Sequence, residues 1–469
     1  MKTIYKRLSI LFGVTIYLMG CSIDDVVPQN QLVEDTVIFN EDSAVSFLNR
    51  IYTTYRDGTD SGTPLLRPEI TAKLSASGQE LTLLTPDEIA DRAIQVDNID
   101  IQSVYQREYL TINNANFFIE LVERGDANLD SETRMNELLA EARFFRAYSH
   151  FNLLRVFGQF YDRGSEFGIV NRTKPFRDIE ANPRNSVQEN YDLIISDLQF
   201  ATDNAQNGRE HFYVTETVAR AALAKVQLYM GDYDGASVNA LAVINNTDGY
   251  SLSSTYEGIF STKFGSETIF APFTGGSTEG DISVREYAPG SSFPSSYLAE
   301  LADAQDGVEG DGSPDFLTGY DPRFSLIFGA AGISPKYPFP GSFMGEGNTV
   351  NMIRMAEIYL IYAEAEARRS GGNLNDALNR LNDIRNRAGV SPKALVDQAS
   401  LLEDIRDEKL LELFQETGES WFDFVRYDRL GDISASSINP NISGPDELIF
   451  PIPQTAIAGN NQLIQNPGY

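Results

Sequence analysis

The sequence predicts a mainly α protein: a tetratricopeptide-like helical-repeat scaffold carrying irregular insertions of loops and short strands. Three observations lead there. Residues 354–369 place Met355, Ile358, Tyr359, Tyr362 and Ala365 on one helical face, and residues 374–387 do the same with Leu374, Ala377, Leu378, Leu381 and Ile384. Ser370-Gly371-Gly372-Asn373 breaks the chain between them, which predicts an antiparallel helix pair. The pattern occurs again 141 residues earlier, where 217–230 and 233–245 flank Gly231-Asp232. With Gly231 set on Gly372, Ala224 falls on Ala365, Tyr233 on Leu374, Ala236 on Ala377 and Val243 on Ile384. Small residues at such places let two helices approach closely, as in tetratricopeptide repeats. Third, between Tyr250 and Asn348, Gly, Ser, Pro and aromatic residues replace the helical period, as in Ala271-Pro272-Phe273-Thr274-Gly275-Gly276.

Taken in order, the chain begins with the basic residues Lys2, Lys6 and Arg7 and a mostly apolar run of 12, Leu8 to Met19, too short to span a bilayer as a helix. Leu18-Met19-Gly20-Cys21 follows, and Cys21 is the only cysteine of 469 residues. This segment resembles a bacterial lipoprotein signal. The resemblance implies that residues 1–20 are a signal peptide and that Cys21 is lipidated, its acyl chains anchoring the protein with about 0.8 kcal/mol per buried CH₂. Residues 21–40 read as a polar tether, and Asp24-Asp25 resembles the surface-export signals of Bacteroidetes lipoproteins. Residues 41–469 read as one domain. Two further helix pairs fit: 101–123 with 132–157, and 187–205 packing beside them. Loop-rich insertions at about 57–100 and 250–348 are where function is expected on a rigid frame. No later stretch reaches 18 apolar residues.

Composition narrows the partners. A content of 42% hydrophobic and 11% aromatic residues describes a folded chain. The net charge of −30 repels phosphate backbones and anionic head groups, which excludes nucleic acid as a partner and leaves covalent lipid as the membrane anchor. With Cys21 lipidated no disulfide can form, so packing alone holds the fold.

Several blocks carry a family resemblance. Glu141-Ala142-Arg143-Phe144-Phe145-Arg146-Ala147 with Phe151, Leu153 and Gly158, then residues 191–198, then Arg354-Met355-Ala356-Glu357-Ile358-Tyr359-Leu360 and Tyr362-Ala363-Glu364-Ala365 follow one another. Trp421-Phe422-Asp423-Phe424-Val425-Arg426 comes next, and the chain closes with Phe450-Pro451-Ile452-Pro453-Gln454 and Asn466-Pro467-Gly468-Tyr469. In order and spacing these resemble the SusD/RagB family of surface glycan-binding lipoproteins of Bacteroidetes, along essentially the whole chain. Ser420 and Lys409 stand where the family commonly has arginine, which predicts weaker local ion pairing. Most motif residues read as scaffold: Arg354, Glu357 and Glu364 can bridge to neighbouring helices, and Trp421, among Phe422, Phe424 and Val425, reads as core.

The resemblance implies an arc of aromatic rings that stacks on sugars, rimmed by polar groups. The only tryptophan lies in the scaffold block, so an arc here must use Tyr and Phe. Candidates in or beside the insertions are Tyr105, Tyr287, Phe293, Tyr297, Tyr320 and Tyr337, with Gln79 and Glu80 where the family often places polar ligand contacts. Asp303, Asp306, Glu309, Asp311 and Asp315 read as a solvated loop, since their spacing does not match an EF-hand, and no metal site is assigned. His150 reads as a satisfied core histidine. No HExxH, G-x-S-x-G or free thiol is present, so neither an enzyme nor a cofactor is expected. The function expected is an outer-membrane, lipid-anchored and surface-exposed protein that captures oligosaccharide or polysaccharide and passes it to a SusC-like TonB-dependent transporter. The alternative is a repeat scaffold that binds a protein or peptide cargo.

Overall fold

The computed structural model describes residues 37–57, 63–178, 180–275, 292–304, 321–323, 336, 338 and 347–469. Cys21, Tyr287, Tyr320 and Tyr337, and all but the start of the acidic stretch, lie outside them. The helices are α1 (Glu41–Arg56), α2 (Pro68–Ser77), α3 (Ile99–Arg124), α4 (Glu132–Phe157), α5 (Val187–Asn204), α6 (Glu216–Met230), α7 (Tyr233–Ile244), α8 (Tyr256–Ser261), α9 (Ser296–Ala304), α10 (Met355–Arg368), α11 (Leu374–Ala388), α12 (Gln398–Glu412), α13 (Glu419–Leu430), α14 (Ala435–Ile438) and α15 (Gln454–Gly459). The strands are β1 (Leu81–Leu83), β2 (Thr268–Phe270), β3 (Ser292–Pro294) and β4 (Ile353–Arg354).

Local chemistry sets the helix ends. Asn40, Asn98, Ser131, Ser186, Thr215, Asp232, Asn373 and Asp397 each cap an N-terminus with a side-chain oxygen, which satisfies an otherwise orphaned N–H. Gly231, at φ +80°, closes α6 in the left-handed region that glycine enters without a Cβ penalty. From α3 the helices stack in series: α3 on α4, α4 on α5, α5 on α6, α6 on α7, α7 on α10 and α10 on α11, with α12 closing against α10. The two repeat units found in the sequence are thus neighbours in space, although the 250–348 insertion separates them in sequence. Alanines make the close approaches; Ala219, Ala222, Ala236, Ala240, Ala363 and Ala377 are fully buried. The offset of 141 holds for the second helices, which begin at Tyr233 and Leu374. It fails for the first, because α10 ends at Arg368.

The 57–100 insertion is not all loop. Pro68 starts α2 at the position where its missing N–H costs nothing, and Ile70 and Leu74 face the core. His150 is neutral and structural as expected: Nδ1–H donates to Arg146 O (2.8 Å), Nε2 accepts from Arg172 N–H (3.1 Å), and burial takes its pKa down to about 3. Trp421 is fully buried, with the Arg92 guanidinium 4.1 Å over its ring. The chain end is tied to the body by Phe450 N–H to Val156 O and by the Asn466 amide to Phe157 O and Phe450 O.

A seam of buried ion pairs runs through the second half. Arg354 reaches Glu267, Glu412 and Glu416; Lys225 joins Glu357 to Glu419, which also meets Arg155; Glu364 binds Arg426. The weaker pairing expected at Lys409 is not seen, because its amine spans Asp423 (2.5 Å) and Glu364 (3.4 Å). The insertion is moored to this seam. Arg323 binds Asp321, Glu408 and Glu412, and Lys336 binds Glu416 and Phe414 O.

Candidate functional site

The 250–348 insertion makes two junctions, one with the 57–100 insertion and one with the end of α1. The first junction is the antiparallel pairing of β1 with β3, in the register Leu81↔Pro294, Thr82↔Phe293 and Leu83↔Ser292. Ser295 fastens it, N–H to Glu80 O (3.0 Å) and hydroxyl to Gln79 O (2.5 Å). The pairing gathers four of the expected site residues: Gln79, Glu80, Phe293 and Tyr297. Gln79 is half-buried at φ +66°, and Phe293 is placed as a strand residue. Glu80 turns inward instead of facing a ligand; it is buried, and Gln415 N–H donates to its carboxylate (3.1 Å). The reversal at Gln79 returns Glu80 N–H to Ser75 O and sends the side chain under α2. Tyr297, half-buried, borders a cavity of about 40 Å³ beside Arg406 and Asp407. That space is far below the roughly 300 Å³ at which small-ligand pockets begin.

Burial raises the Glu80 pKa to about 7, against the pull of its Ser75, Gln415 and Ser420 hydrogen bonds and of Lys336. An acid raised in the folded state loses stability as pH rises from its unfolded value near 4.5 through 7, and loses nothing below that. Relative to the parent, Glu80→Gln is therefore expected to gain up to about 3 kcal/mol between pH 5 and pH 8. Thermal unfolding at the two pH values checks this, and an equal difference at both would count against it.

The second junction is an open cleft of about 570 Å³, which shares no lining residue with the first. One wall is a face of α1, where Asn49, Tyr52, Thr53 and Arg56 recur at i, i+3, i+4 and i+7. Phe145 of α4, Phe212 and Tyr213 before α6, and Phe270, Pro272 and Phe273 at the end of β2 supply the rest. The rings brace one another. Tyr52 meets Phe145 edge-on at 4.6 Å and Tyr213 at 5.8 Å, while Phe212 lies 4.9 Å from Tyr213 and 4.8 Å from Phe273. Phe264, whose plane is 6° from that of Phe273, is held at φ +56°, a backbone position costly for a bulky residue. Arg56 closes the junction by donating to Phe273 O (2.7 Å) while Asp57 neutralises its charge. Among the described residues, no carboxylate or lysine lines the cleft. Aromatic faces beside the Asn49 amide, the Thr53 hydroxyl and a neutralised guanidinium suit an uncharged polyhydroxylated ring.

None of these ring positions was among the candidates read from sequence. The signal available was the amphipathic α1 face and the Ala271–Gly276 composition, but their juxtaposition with Phe212-Tyr213 is tertiary. Tyr105 sits in a third place, a cleft between α3 and α15, with its ring 4.8 Å from that of Tyr109. Among the described residues, no group of three or more His, Cys, Asp or Glu could hold a metal ion.

Comparison with known proteins places this geometry. A model of the SusD family matches residues 335–469, and a model described as starch-binding associating with outer membrane matches residues 26–230. SusD-like protein P2 of Formosa agariphila is 24% identical over 99% of this chain and 100% of its own length. A SusD-like protein of Bacteroides ovatus is 24% identical over 68% of this chain and 64% of its own length. Among solved structures, a SusD superfamily protein of Bacteroides thetaiotaomicron superposes with a TM-score of 0.74 at 22% identity, covering 91% of this chain and 100% of that one. A laminarin-binding SusD-like protein superposes at 0.66 with 21% identity over 92% of this chain and 100% of that one.

Proposed function

Because the chain belongs to the SusD/RagB family, we propose that it captures a glycan at the outer membrane and passes it to a TonB-dependent transporter without chemical change. The observation that carries the reading is the aromatic cleft at the second junction, with its neutral polar rim. The names of two relatives point the same way, one family being described as starch-binding and one solved relative as laminarin-binding. In this reading Cys21 holds the acyl anchor, residues 22–36 give reach before Ile38 joins the core, the helical stack offers a rigid docking face, and the cleft between α1 and the 250–348 insertion holds the sugar.

A soluble form beginning at Ser22, screened against a broad set of polysaccharides with calorimetry on the hits, tests the reading. A saturable complex with no release of reducing sugar is the expected result. Deleting the transporter should leave that binding intact and abolish uptake. Failure to bind any polysaccharide in the set would remove the glycan assignment in favour of a protein or peptide cargo.

A further inference from the structure

We infer that the cleft between α3, the strap of residues 170–176 and α15 is a second binding site, one that takes a pyranose bearing a carboxylate. Its volume of about 400 Å³ falls in the range of small-ligand sites, and it shares no lining residue with the aromatic cleft. Tyr105 and Tyr109 form one wall, and Phe176, 47% exposed, stands at the other. Such walls suit the apolar face of a sugar ring, and the exposed Gln106 and Thr455 can meet its hydroxyls.

The strap is built into place. His150 Nε2 accepts from Arg172 N–H (3.1 Å), and the Asn116 amide donates to Arg172 O and Lys174 O (3.1 Å each). Asn113 Oδ1 accepts from Phe176 N–H (2.6 Å), and the Tyr109 hydroxyl donates to Val170 O (3.0 Å). The backbone of Arg172, Lys174 and Phe176 is thereby set before any ligand arrives, which lowers the ordering cost of binding. His150 stays neutral down to about pH 3, so mild acid does not release the strap.

Charge decides the ligand class. In a chain of net charge −30, Arg172 and Lys174 line the same cleft, with Glu180 the only carboxylate there among the described residues. Glu180 approaches Arg172 at 3.6 Å with its side chain 67% exposed, a loose pair in high dielectric that a ligand carboxylate can displace. A guanidinium and an ammonium beside the tilted Tyr105–Tyr109 pair recognise an acid on a ring; a neutral sugar would leave them unused. The aromatic cleft, without a free charge in its lining, lacks that preference.

Saturation-transfer NMR on the full chain in detergent, titrating glucuronate, glucose and benzoate, tests the inference. Glucuronate is expected to saturate, with glucose about tenfold weaker. Arg172→Gln and the exposed Lys174→Gln should each weaken glucuronate about threefold to tenfold, as should Tyr105→Ala, while Phe273→Ala in the aromatic cleft leaves it unchanged. Equal binding of glucose, tighter binding of benzoate, no binding of glucuronate, or loss of glucuronate through Phe273→Ala instead would each overturn it. Polysaccharide binding at the aromatic cleft is read separately, through Phe273→Ala, so either site can fail without the other.

Discussion

Replacing Arg354 with methionine is expected to cost about 3–5 kcal/mol of stability at neutral pH, because it strands buried carboxylates rather than removing a surface contact. Arg354 is 1% exposed. Its Nε donates to Glu416 (2.7 Å), its Nη1 to Glu267 (2.9 Å) and Glu412 (2.5 Å), and its Nη2 to Glu412 O. After the substitution Arg387 is shared between Glu267 and Glu412, Arg323 is shared among Asp321, Glu408 and Glu412, and Lys336 is left with Glu416. Burial by itself would raise the Glu412 pKa; Arg387, Arg354 and Arg323 overcome it and hold the group at about 2. A depressed acid contributes stability that is present above its unfolded value near 4.5 and is lost as pH falls toward the folded value. Loss of Arg354 raises the folded pKa and shrinks that contribution. The gap between parent and variant should therefore narrow from pH 7 to pH 4, as read from denaturant midpoints. A loss below about 1 kcal/mol at pH 7 would mean the seam relaxes freely, contrary to its burial. The seam also moors Arg323 and Lys336, so the variant should loosen the insertion first.

Which parts of this molecule the sequence discloses follows from the range of the interactions. The boundaries of α4 and α5 are plain because Ser131 and Ser186 cap them and the apolar period is unbroken. α2 is hidden because ten residues between loops carry little period, and its position depends on Leu74 packing under Gly418 and on Gly78 lying against the Trp421 backbone. The ion seam is hidden for another reason. The residues of α10 are suggestive in pattern, yet Lys225–Glu357 and Arg155–Glu419 join residues more than a hundred positions apart, and a charge on a helix gives no sign of its partner. At the site, only Phe270, Pro272 and Phe273 of the aromatic cleft come from an expected insertion, and its other walls come from α1, α4 and the segment before α6. The individual side chains were a different matter. Glu80 looks like a rim residue until the left-handed turn at Gln79 puts it inside, and Phe212 belongs to no insertion at all.

Truncating the aromatic cleft is expected to have the largest effect on ligand binding. Phe273 is 37% exposed but packs on Phe212 and Phe264, so Phe273→Ala should cost about 1 kcal/mol of folding stability. If a pyranose stacks there, the same change removes a ring contact worth about 1–2 kcal/mol, or roughly fivefold to thirtyfold in affinity. Tyr213 stands on the other side of Phe212, with the Arg209 guanidinium 3.9 Å over its ring. Arg209 is in turn held by the buried Glu141, which fixes that ring more firmly than Phe273. Tyr213→Ala should therefore cost at least as much affinity, at some cost in stability. The double variant should lose about a hundredfold, less if Phe212 swings into the space left by its neighbours. Calorimetry with the polysaccharide found by screening, beside melting curves of each variant, separates lost stacking from lost folding. Undiminished affinity in a well-folded double variant would take the glycan away from this cleft. A loss confined to the two rings would instead make the cleft between α1 and β2 the place of capture, because no other contact is altered.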